Sequence, residues 1–267
     1  MKLIYLLPFG VLSAVLAAGF LSFRSHSPKN RPDLTIRTSK NMDDAVFHQN
    51  SDSELMGKFD PASHPDFVAI PRDYTDGGQS YYLRKEAMAA FKLMHEAAKK
   101  EGINFFIISA TRNFDRQKQI WESKWTGKTI VGGKNLAKAV TDPTERAYKI
   151  LTYSSMPSTS RHHWGTDFDL NSLEPAYFSK GQGKKVYDWL VAHAAEYGYA
   201  QPYTAGRTSG YNEEKWHWSY TPLSRKYTQN YAKNIKNSEI TGFLGSETAA
   251  TIDMVNKYVL GVAETCK

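Results

Sequence analysis

The sequence predicts an α+β fold, and three observations carry that expectation. Several segments show apolar residues at helical spacing, several short runs are β-prone, and the two kinds do not alternate strictly as βαβ units would. Mixed elements of this kind favour helices packed around a small sheet over a doubly wound parallel one.

Taken in order, the chain begins with Lys2 and an uncharged apolar run over residues 3–23. A charged start followed by such a run reads as an export signal. A span of about 20 apolar residues is also enough to cross a bilayer. Residues 1–23 are therefore expected to be a signal peptide or a membrane anchor, touching the membrane if uncleaved. The remainder is expected to work outside the cytoplasm, in the periplasm or cell envelope. Residues 24–53 are rich in Ser, Asn, Asp, Lys and Arg and read as a polar linker.

A domain over 54–232 follows. In the 81–102 segment, Leu83, Met88, Phe91, Met94 and Ala98 recur at helical spacing and Gly102 is a stop signal, so one amphipathic helix is expected there. The run 103–110 (INFFIISA) reads as a buried strand that delivers Arg112 to its end, and Asp115 is the expected cap of the next helix. Asp142, Pro143 and Glu145 in TDPTE are a strong helix start. TDFDL and KWHWSY read as strands, and KKVYDWLVAHAAEYG as an amphipathic helix stopped by Gly198. Residues 233–267 form an expected C-terminal helical extension, with one helix over ETAATIDMVNKYVLGVA.

Charge and cysteine content narrow the function classes. The net charge of +7 suits anionic surroundings, but no Lys/Arg run is dense enough for a nucleic-acid arm, and no nucleic-acid partner is expected. Cys266 is the single cysteine, which excludes an internal disulfide and any cysteine-based zinc site. A bound metal must then be held by His, Asp or Glu.

Two stretches offer those ligands. SRHHWGTDFD (160–169) supplies His162 and Asp169, with Gly165 between them as a sharp turn. KWHWSY supplies His217 on a strand-like run, with Trp216 and Trp218 expected on the opposite face. Catalytic zinc takes three protein ligands and keeps one open position, and these three residues fit that need. Histidines are also ordinary hydrogen-bonding residues, so the residue types alone leave both readings open. Glu214 is the candidate base for an activated water. Residues three apart on a regular strand face opposite ways, so Glu214 and His217 can share a site only if the chain bends near Lys215. Asp167 should share a strand face with Asp169, near the metal or behind a ligand, without being a ligand itself. His163 is expected behind the ligands or at the surface, and His95 and His193 are expected to be structural. No HExxH, SxxK or GxSxG is present, which disfavours the corresponding peptidase classes.

SRHHWGTDFD matches the SxHxxGxxxD motif, and EKWHW the ExWH motif, of the LAS metallopeptidases, the superfamily of lysostaphin, D-Ala-D-Ala carboxypeptidases and the sonic hedgehog domain. Over roughly residues 54–232 the chain resembles the VanY-type D-alanyl-D-alanine carboxypeptidases. That resemblance implies a small antiparallel sheet packed with helices and carrying a Zn2+ site of His162, Asp169 and His217, with Glu214 as general base. It also implies substrate contacts from Arg112 and Gln117, which match in ATRNFDRQ, and from Ser160. A guanidinium suits that task because it can clamp a peptide carboxylate bidentately. The implied activity is zinc-dependent trimming of D-alanine from peptidoglycan stem peptides. The alternatives are an endopeptidase that cuts cross-links and a zinc-stabilised binding module without turnover.

Overall fold

The computed structural model describes residues 51–78 and 80–267. The apolar leader and most of the polar linker lie outside the described residues. Among the described residues no helix is long and apolar enough to cross a membrane.

The architecture is α+β, with two small antiparallel sheets among helices. A short α1 (Asp52–Leu55) precedes a two-stranded ribbon of β1 (Phe67–Ala69) and β2 (Tyr82–Arg84). Helix α2 (Lys85–Lys100) leads to β3 (Ile107–Ser109), then to α3 (Phe114–Trp125), α4 (Leu136–Ala139) and α5 (Pro143–Leu151). Next come β4 (Asp167–Leu170), α6 (Gly181–His193), β5 (Tyr199–Ala200), β6 (His217–Tyr220), α7 (Thr221–Asn234) and α8 (Thr248–Ile252). The main sheet has the order β3-β4-β6-β5.

Side-chain alternation explains how this sheet is used. Phe168 and Leu170 of β4, Trp218 of β6 and Ile107 of β3 pack with Met88, Phe91 and Leu190 of α2 and α6 in one apolar cluster. The alternate positions, Asp167 and Asp169 on β4 and His217 and Ser219 on β6, are therefore turned to the other face. A second cluster gathers Trp121, Trp125, Ile150, Trp164, Tyr227 and Tyr231 with residues near the C-terminus, including Ile235, Ile252, Val259 and Cys266. Residues 233–267 thus contribute side chains to a core shared with α3, α5 and α7.

Four local expectations differ from the structure. The 81–102 helix starts only at Lys85, because Tyr82–Arg84 is extended and pairs with Phe67–Ala69. Leu83 is buried as expected, but from a strand: tertiary pairing overrides local helical spacing. Helix α3 is capped by Asn113, whose extended backbone lets its side chain accept from Arg116 N, while Asp115 falls inside the first turn. The C-terminal helix is broken at Asp253, which takes φ 59° and closes α8 before a wide turn over Val255–Val259. Trp218 packs into the core as expected, but Trp216 precedes the strand and lines a cavity. Asp142 caps α5 as its sequence implies, accepting from Glu145 N at 2.6 Å.

Candidate metal centre

The site is built by strand register. Asp169 on β4 lies directly opposite His217 on β6, and Asp167 lies opposite Ser219. Both pairs stand on the sheet face turned away from Phe168 and Trp218. His162 arrives from a single 3-10 turn, Arg161–Trp164, which ends at Gly165 with φ 70°. The turn is tied to the loop after β3, since Arg112 N donates to His162 O at 3.1 Å.

Gly165 is needed here for two reasons. Its left-handed backbone costs an L-residue about 1–2 kcal/mol. A Cβ there would also run into the Phe67 ring. Gly165→Ala is expected to lower stability by about 1–2 kcal/mol from the backbone alone, read as a lower denaturant midpoint at unchanged slope. An unchanged midpoint would show that the turn does not need the left-handed conformation.

The three candidate ligands converge. One donor atom each from His162, Asp169 and His217 lies within 4.8 Å of the others, and all three residues are buried. Asp169 faces both imidazoles, with Oδ2 3.4 Å from His162 Nε2 and Oδ1 3.4 Å from His217 Nδ1.

The second nitrogen of each histidine is spoken for. His162 Nδ1 is 2.8 Å from Ala110 O, so it donates there and leaves Nε2 as a free lone pair. His217 Nε2 is 2.9 Å from Asp167 Oδ2, which leaves Nδ1 facing Asp169. Carboxylate or carbonyl partners of this kind fix the tautomer and orientation of metal-ligating histidines. The Asp169 Oδ1 atom is buried and accepts no hydrogen bond from the described residues. A buried carboxylate oxygen left without a donor needs a positive partner. The donor set therefore fits a divalent cation that prefers nitrogen and oxygen ligands.

Electrostatics point the same way. Burial would lower the His217 pKa, but hydrogen bonds to Asp167 and Glu214 and the charge of Asp169 outweigh it and raise it to about 9. The site draws positive charge onto His217, and a metal binding there would displace the proton. Asp167 and Asp169 both lie below the usual carboxylate range. Burial opposes that shift, and Arg161 and His217 overcome it at Asp167, as His162 and His217 do at Asp169.

Asp167 is a hub behind the ligands. Besides His217 it receives Arg161 Nε at 2.9 Å, Thr166 Oγ1 at 2.6 Å and Ser219 Oγ at 2.8 Å. Arg161 is itself fully enclosed, donating to Thr228 and Ser219 and stacking over Trp164. The sequence reading missed Arg161. Its position inside the ten-residue motif, beside the first ligand, was the available signal.

Glu214 reaches the site because the chain turns at Lys215–Trp216 just before β6, as the spacing required. His217 N donates back to Glu214 O at 3.2 Å, and Glu214 Oε2 lies 3.1 Å from His217 Nδ1. Unlike the buried ligands, Glu214 is partly exposed to a cavity of about 560 Å³ that also contains His162, Asp169 and His217.

Arg112 and Gln117 line the same cavity. Arg112 Nε donates to Gln117 Oε1 at 2.9 Å and its Nη1 to Ser109 Oγ at 2.6 Å, with Asp169 Oδ2 3.6 Å away. Gln117 is anchored in turn by donating to Ser155 O. Ser160 is placed differently: it is buried outside the cavity lining, and its hydroxyl has no partner among the described residues. His163 is also buried, not at the surface. Its Nδ1 is 2.6 Å from Arg112 O, and burial holds its pKa down at about 3. His95 packs against Tyr74, Phe91 and Phe105, and His193 pairs with Glu196 at the end of α6.

A family profile described as "VanY: D-alanyl-D-alanine carboxypeptidase" matches residues 80–223, a span that includes Arg112, the three candidate ligands and Glu214. The Bacillus subtilis protein named "Putative carboxypeptidase YodJ" is 29% identical over 211 residues, covering 77% of this chain and 68% of that protein. Two solved structures are similar at lower identity. The LdcB LD-carboxypeptidase gives a TM-score of 0.47 at 22% identity, covering 76% of this chain and 78% of that one. VanYB in complex with D-alanine-D-alanine gives 0.42 at 20% identity, covering 65% and 92%.

Proposed function

The chain belongs to the VanY D-alanyl-D-alanine carboxypeptidase family, and from that premise we propose that it is a zinc-dependent carboxypeptidase that trims D-alanine from peptidoglycan stem peptides. The observation that carries this reading is the convergence of His162, Asp169 and His217 with each histidine's other nitrogen already committed. The extracytoplasmic setting expected from residues 1–23 would bring the domain to that substrate.

His162 Nε2, Asp169 and His217 Nδ1 would hold Zn2+, which when bound supplies Lewis acidity toward a carbonyl and a lowered pKa for water. The chain's own residues do the rest. Glu214, at the cavity edge beside His217, takes a proton from the attacking water and delivers it to the departing amine. Arg112, braced by Gln117 and Ser109, clamps the C-terminal carboxylate of the peptide and so sets which bond reaches the site. Asp167 holds His217 in the tautomer that presents Nδ1. Ser160, buried outside the cavity lining, would meet the substrate only if the adjoining turn opened.

The test is mass spectrometry of a pentapeptide stem and of a cross-linked dimer after incubation with the full chain, with and without a chelator. Chelator-sensitive loss of one terminal alanine from the pentapeptide is expected. Cleavage of the dimer alone would replace this reading with a cross-link endopeptidase. No product from either, with zinc still bound, would leave a binding module.

A further inference from the structure

Lys124 lies on α3 seven residues after Gln117, so the two side chains rise from one helix face roughly 10 Å apart along the axis. Both line the cavity that contains the candidate metal ligands. Lys124 is half-buried, and the only polar contact of its ammonium among the described residues is the Ser154 hydroxyl. No carboxylate lies within ion-pair distance of it among the described residues, whereas Lys118 and Lys149 on nearby helix surfaces both have glutamate partners. Arg112 does not serve as a partner either, being a second cation on the same cavity. Burial first, and then the charge of Arg112, pull the Lys124 pKa down to about 8. A buried ammonium without a counter-ion is costly, and such groups are normally paired.

We propose that Lys124 is a second anion-binding residue of this cleft and recognises a carboxylate of the substrate other than its C-terminal one. The inference rests on the cleft being a peptide site, and it makes the enzyme selective for peptides with an additional free carboxylate. In stem peptides that group has two sources, the α-carboxylate of the D-glutamyl residue and the side-chain carboxylate of a diaminopimelyl residue. The ligand chemistry is the same for both. The selectivity arises because a charge-assisted bond to a partly desolvated ammonium is lost when the carboxylate becomes an amide.

The experiment measures affinity by calorimetry on the zinc-loaded full chain carrying Glu214→Ala, to separate binding from turnover. Three pentapeptides are used: both additional carboxylates free, the glutamyl one amidated, and the diaminopimelyl one amidated. Adding Lys124→Gln is expected to weaken the free peptide about tenfold, the scale of one charged hydrogen bond, while Lys124→Arg retains most of the affinity. Amidating the recognised carboxylate should cost the chain that keeps Lys124 a similar factor, and should abolish its advantage over the Lys124→Gln variant. Which peptide does this identifies the source. An equal loss on all three peptides, no loss on any, or no binding at all overturns the proposal. If the parent chain releases no alanine but Lys124-dependent binding persists, the catalytic reading fails and this one stands. Turnover with binding indifferent to Lys124 gives the reverse.

Discussion

Replacing Glu214 by alanine is expected to lower turnover of a pentapeptide about a thousandfold, within the 10²–10⁴ range of general acid–base catalysis, while zinc content stays unchanged. The two halves of that result follow from different geometry. Glu214 does not belong to the cluster of His162, Asp169 and His217, so its removal leaves all three donors and the contacts that aim them. Of the carboxylates beside His217 that line the cavity, Glu214 is the more exposed, and Asp169 is a candidate ligand. A variant that retains full activity would remove Glu214 from the proton transfer. A variant that loses zinc would make it a ligand. Kinetics and metal analysis on one preparation separate these outcomes.

The second large effect falls on Asp167. Its side chain and that of Arg161 are both wholly enclosed, and the pair closes at 2.9 Å. Asp167→Ala leaves the Arg161 guanidinium buried without its anion, and removing one partner of a buried pair costs about 3–5 kcal/mol. Denaturant unfolding should show that loss. Asp167→Asn is the milder probe, because it keeps the shape and weakens the hold on His217 Nε2. Loss of such an outer contact typically reduces metal affinity about 10–100-fold, measurable by competition with a chromophoric chelator. Unchanged affinity in the asparagine variant would mean that His217 is oriented by the strand alone. Both variants remove the anion of Arg161, so metal affinity of the asparagine variant is read on protein whose folding has been checked by the same denaturant titration.

These two residues also mark how far the sequence could be read. Glu214 was legible from the ExWH resemblance, and its three-residue spacing from a strand histidine required a bend, which the chain makes at Lys215–Trp216. The face shared by Asp167 and Asp169 was legible from the two-residue period of a strand. The partner of Asp167 was not. Arg161 meets it by folding a 3-10 turn back onto the sheet, and its other contacts, Ser219 and Thr228, come from β6 and α7. Such a network depends on tertiary packing that no local spacing encodes. The same limit moved the start of α2, where Leu83 fits a helical repeat but lies on β2 opposite Val68 and is buried among Met88 and Phe91. It also hid Lys124, whose significance lies in a cavity formed by α3, the loop after α5 and the segment before β6. Conversely, the capping signals of α5 were local and survived intact, since Asp142 and Pro143 act on the next few residues only.

The proposed function requires that His162, Asp169 and His217 hold a catalytic zinc ion. The most direct test is to strip the full chain of metal, titrate zinc back, and follow D-alanine release from the pentapeptide at each addition. The stripped protein is expected to release none, release should rise linearly and saturate at about one equivalent as expected for one three-ligand site, and a His217→Ala variant should not recover. Full activity in the stripped protein, or equal recovery in the His217→Ala variant, would contradict it.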